Sequence, residues 1–237
     1  MISRIDGGSD SSVGLNPSRP LEVSAEKLDK GRFFGGIVYT LERYRITMIT
    51  TYNSMTNERA GFEVPESMTP EDLGDTMARL VWESFSDFIA DGEAEHLLGS
   101  LGLTQEDGIP EEAPAEEILI FLMWAHTRGL QLAFIGRSDR ALVREGLDAF
   151  HSAIFHDMVD NGTPQAQVPL FEQRVSARYA EYYAAAEKSD VELGAAVARH
   201  LAGSRQSPES LVAALTERAI AVANPLKDFL EEVELVH

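Results

Sequence analysis

The chain contains no cysteine. Disulfides, thiolate metal sites and cysteine nucleophiles are excluded together, while the compartment is only weakly constrained. Lysine is nearly absent too. Lys27, Lys30, Lys188 and Lys227 are all there is, and arginine supplies most of the positive charge. With 20 basic against 39 acidic residues the formal charge is −19. That balance argues against nucleic acid or an anionic membrane as a partner held by simple attraction. It favours a basic protein partner, a cationic ligand or a divalent metal, and its plainest use is solubility.

Several signatures are also missing. There is no GxSxG elbow, no P-loop and no dinucleotide fingerprint, and Gly35-Gly36 lacks the following glycine and lysine that would cradle a phosphate. The first 22 residues, rich in Gly, Ser and Asp up to Pro20, have no apolar stretch of the secretory kind and read as a flexible arm. No apolar run of membrane length is free of polar groups. The segment 118–135 is long enough, but His126 and Arg128 sit mid-run, and each would cost roughly 2–3 kcal/mol or more in lipid. A soluble, cytoplasmic protein with a buried helix is the expectation.

What is present is a globular composition, 44% hydrophobic and 8% aromatic. The run Ile118 to Ile135, apolar on nearly every side, predicts the central helix of a bundle, opened by Pro114-Ala115-Glu116-Glu117 and closed by Gly136. Helix signals surround it. Thr69-Pro70-Glu71-Asp72 starts one that runs to Gly92, with Leu73, Met77, Leu80, Val81, Phe85 and Phe88 inward, and a short piece follows over 93–98. Ser138 caps another, which stops at Asn161-Gly162, and Pro169 opens the next. Ser189 with Glu192 has capping-box spacing for a helix that ends at Gly203. Ser207-Pro208-Glu209 begins the last, which Asn224-Pro225 is expected to break or kink. Residues 37–53 are ambiguous: β-branched content favours a short β-hairpin, whereas the stripe Ile37, Leu41, Tyr44, Met48 favours helix. The reading is an all-α multi-helix bundle, with 23–237 as one domain and the acidic loop 104–113 as a place where it could divide.

Helical periodicity puts His126, His151 and His200 on core-facing stripes of three different helices. Where such stripes meet, neutral imidazoles can ligate a metal, with Asp148 orienting His151; where they do not, each is a hydrogen-bonded core histidine. The other stripe of the central helix, Glu117, Phe121, Trp124, Arg128 and Gln131, predicts an ion-pair network or a ligand cleft. Arg128 is its candidate for meeting an anion. Glu93-Ala94-Glu95-His96, and the pairs Asp87/Asp91 and Asp157/Asp160, have metal-ligand spacing but lie on a short segment or at helix ends.

One segment carries a family likeness. Ala125-His126-Thr127-Arg128-Gly129, followed by Ala153-Ile154-Phe155-His156-Asp157-Met158-Val159, resembles the core of HD-domain metal-dependent phosphohydrolases over little more than a fifth of the chain. The resemblance implies an all-α fold in which His126, His156 and Asp157 ligate a divalent metal, with Asp190 or Asp228 completing the set. It implies metal-activated water attacking a phosphate ester, with Arg128 for the phosphate. After the doublet this chain continues Met158-Val159-Asp160, without the usual glycine. Two functions therefore stand as expectations. One is an adaptor or assembly factor working through a protein partner, with homo-oligomerisation open and no cofactor. The other is a hydrolase of this metal-dependent type.

Overall fold

The computed structural model of the chain describes residues 67–90, 92–105 and 110–237, apart from the side chains of 93–95. The arm at 1–22, the segment 37–53 and the middle of the acidic loop lie outside the described residues. Among those described there are seven helices and one two-stranded parallel ladder, as expected of an all-α bundle. The helices are α1 (Pro70–Ala90), α2 (Gly92–Ser100), α3 (Glu112–Phe134), α4 (Arg140–Asp160), α5 (Val168–Ala186), α6 (Asp190–Ala202) and α7 (Glu209–Leu230). The strands Ser67–Met68 and Glu234–Leu235 bring the two ends of the described chain side by side.

The local chemistry at the helix starts is much as the residues dictate. The Asp72 N–H donates to Thr69 Oγ1 at 3.2 Å, and the Thr69 hydroxyl donates to Asp72 Oδ2 at 2.8 Å, so each closes the other's open valence at the start of α1. In α6 the Glu192 N–H donates to Ser189 Oγ at 3.1 Å. One cap differs from expectation, and one expected break is absent. The cap of α4 is Asp139, whose Oδ1 accepts the Ala141 N–H at 2.7 Å, because a carboxylate one residue on outcompetes the Ser138 hydroxyl. And α7 runs through Pro225. Pro225 and Ala221, whose carbonyl loses its helical partner, both lie on the exposed side, where water can satisfy that carbonyl.

The central helix is central in fact. From Pro114 to Phe134 only Arg128, Gln131 and Leu132 escape full burial, because α3 is packed by α1, α4, α5, α6 and α7. It begins two residues before Pro114, which then occupies the first turn, where a missing N–H costs nothing. The largest helix pair is α1 along α4, where the backbones nearly touch. A Cβ on Gly74 would lie 2.6 Å from Ala149 Cβ. On the other side of α3, Gly194 of α6 sits so close to α7 that a Cβ would come within 2.6 Å of the Val212 carbonyl oxygen.

Candidate functional site

The core histidines do not converge; each is satisfied where it stands. His126 on α3 is 3% exposed. Its Nδ1–H donates to the Leu122 carbonyl at 2.8 Å, which leaves Nε2 to accept from the Ser84 hydroxyl at 3.3 Å. Burial pushes its pKa down to about 4, with the Leu122 and Leu80 carbonyls opposing only in part. His151 on α4 gives its Nδ1 proton to the Leu147 carbonyl at 2.8 Å and is likewise held low by burial. His200 meets Glu181 Oε2 at 2.6 Å.

The remaining positions of the expected ligand set lie apart from these. His156 is exposed and pairs with Asp160 at 3.4 Å, one turn on along α4. Asp157 Oδ2 accepts the Trp82 Nε1–H at 3.0 Å, tying α4 to α1. Asp190 and Asp228 are exposed on α6 and α7. Among the described residues no three histidine, aspartate or glutamate side chains form a group able to hold a metal ion. His126, His156 and Asp157 thus do not fit the metal that the family likeness implies.

The second stripe of α3 does form a network. Glu117 takes Arg178 of α5 in a bidentate pair, with Nε to Oε2 at 2.8 Å and Nη2 to Oε1 at 2.7 Å. One turn earlier on α5, Arg174 pairs with the buried Glu116. Farther along, the Tyr179 hydroxyl donates to His151 Nε2 at 3.1 Å and accepts from the Thr127 hydroxyl at 3.2 Å, which joins α5, α4 and α3. Tyr183 donates to Gln131 Oε1 at 2.8 Å, and burial raises its pKa against the pull of Arg128. The partner of Glu117 is therefore Arg178, and Arg128 is left for something else.

Arg128 opens onto a cleft of about 510 Å³ between the end of α3 and the start of α4. Arg137, Arg140 and Arg144 line the same cleft, together with the apolar Leu132, Ile135, Val143 and Leu147, and no acidic residue is part of the lining. Arg137 is fixed: Nη1 donates to the Ala133 carbonyl at 3.0 Å and Nη2 to the Glu231 carbonyl at 2.5 Å, so it clamps the ends of α3 and α7 together. Arg144 has a loose contact with Asp148 at 3.8 Å. Ile135, on the rim, is 77% exposed. Periodicity within α3 picks out Arg128 alone, since the other three come from the turn and the next helix. A signal was present nonetheless: between Ile118 and Arg144 the chain carries four arginines and a single acid, Asp139, within a molecule of charge −19. The chain matches no protein-family model, no curated protein and no solved structure.

Proposed function

We propose that this chain is an acidic helical interaction protein, an adaptor or assembly factor, that docks a basic protein partner. The observation that carries the reading is the turn from α5 into α6. Val191 is 61% exposed there. Glu187, Asp190 and Glu192, within one helical turn of it, are exposed as well, and Lys188 is the turn's one cation. An apolar side chain in an acidic collar complements a basic amphipathic segment: the apolar contact anchors it, and the charge steers the encounter and rejects acidic competitors. Among the described residues no helix is long and apolar enough to cross a membrane. A cytoplasmic place of action, without nucleic acid, is part of the proposal.

The test is site-specific photo-crosslinking in the source cells. A photoreactive amino acid replaces Val191 in one sample and the exposed Ala177 of α5 in another. One discrete protein adduct is expected from position 191, lost when Glu192→Lys is added. An adduct to a second copy of the chain would identify self-association as the function of this surface. No adduct at 191, or the same adducts from 177, would sink the reading.

A further inference from the structure

We propose that the arginine cleft between α3 and α4 binds a small phosphoryl-bearing anion, independently of the docking turn on α6. Residues 67–237 carry thirty acids and only twelve lysines and arginines, yet four of those twelve line this one cleft. Cations in so acidic a molecule gain most by dispersing among the carboxylates. Gathering them, with no acid in the lining, builds a local positive potential that an incoming anion relieves. Arg128 and Arg140 make no hydrogen bond or ion pair with any other described residue, and Arg144 has only its long contact with Asp148.

The class of anion follows from the number of donors left open. Two uncommitted guanidiniums and a third held only by a contact at 3.8 Å exceed what one carboxylate can use, with a single charge and two oxygens. A phosphoryl group, with close to two charges and three strong acceptor oxygens, can take several bidentate arginine contacts at once. Leu132, Ile135, Val143 and Leu147 then offer an apolar wall to the rest of the molecule, and about 510 Å³ is the size of a small-ligand site. The ligand class is a phosphate ester or diphosphate with an apolar part, either free or as a lipid headgroup.

Two assays on the full chain separate these sources. Calorimetric titration with inorganic pyrophosphate reads the free anion. Co-sedimentation with phosphatidylcholine vesicles, with and without phosphatidic acid, reads the headgroup. Each is run on wild type, Arg128→Gln, Arg140→Gln and Arg199→Gln; Arg199 lies outside the cleft, paired with Glu181. The expected result is saturable binding at one site, weakened about tenfold or more by Arg128→Gln and by Arg140→Gln and unchanged by Arg199→Gln. Arg140 is exposed and outside the core, so its variant keeps the test decisive if Arg128→Gln folds poorly. Binding to phosphatidic acid vesicles alone, with the same variant pattern, identifies the headgroup as the source. Absence of saturable binding in both assays, or equal weakening by Arg199→Gln, overturns the proposal.

Discussion

At the scale of the residue, the most consequential side chain is one that looked like a metal ligand and is a neutral core group. His126 keeps its proton on Nδ1 for the Leu122 carbonyl, and with a pKa of about 4 it stays uncharged through the physiological range. The unfolded chain protonates the same imidazole near its ordinary value of 6.5. Between those two values the unfolded state binds the extra proton, so stability falls as pH drops through 6.5 and levels off below about 4. The gap corresponds to about 3 kcal/mol. His151 is shifted in the same direction by burial, and carboxylate protonation acts on every variant alike, so the comparison must be differential. Urea denaturation of wild type and His126→Gln at pH 7.5 and pH 4 should show the wild type losing about 3 kcal/mol more than the variant. Parallel losses would mean that His126 is not the buried neutral group described. The sequence placed this histidine on a core stripe correctly. It could not reveal the partners, because Leu122 is a helical neighbour but Ser84 comes from another helix.

At the scale of the element, periodicity and end signals were nearly sufficient for what lies within a helix and silent about what lies between helices. The caps at Thr69 and Ser189 and the stop at Gly203 are local chemistry, decided within a few residues, and all appear where the residues place them. The glycines at the crossings were invisible to the same reasoning. Gly74 lowers helix propensity wherever it stands, and only the approach of Ala149 from α4 gives the reason for it. The arginine cleft escaped for a related cause, since its lining comes from two helices and the turn between them.

The α3–α5 seam supplies the element-scale prediction. Glu117 and Arg178 are largely withdrawn from water, with side chains 9% and 23% exposed, and hold each other through two hydrogen bonds. Removing one partner leaves the other charge without its counter-ion, whereas replacing both removes the demand. Arg178→Met should therefore destabilise by about 3 kcal/mol or more, and adding Glu117→Gln should recover a substantial part of that. Thermal or urea unfolding of the two singles and the double completes the cycle. If the double is as unstable as the sum of the singles, the pair is not coupled and α5 is held to α3 by packing alone.

At the scale of the whole molecule the governing quantity is charge. Thirty acids against twelve lysines and arginines in residues 67–237 place a net negative field on a compact body, and self-repulsion of that kind opposes compaction. Against it stand the ion pairs, of which the exposed ones, such as Arg144–Asp148 at 3.8 Å, contribute little. Salt acts on both terms in opposite directions, and their reach decides which wins. Repulsion is summed over distances comparable with the whole protein, so a Debye length that shrinks from about 30 Å at 0.01 M to about 3 Å at 1 M removes most of it. The bidentate Glu117–Arg178 pair, short and largely withdrawn from water, is screened much less. The net effect of added sodium chloride should be stabilising, with the melting temperature rising by several degrees between 0.01 and 1 M and most of the rise complete by about 0.2 M. Scanning calorimetry at fixed pH measures it directly. A melting temperature that falls with salt would mean that attractive pairs outweigh the acid surplus. The acidic surface would then be internally compensated, and the case for a basic partner would lose its electrostatic support.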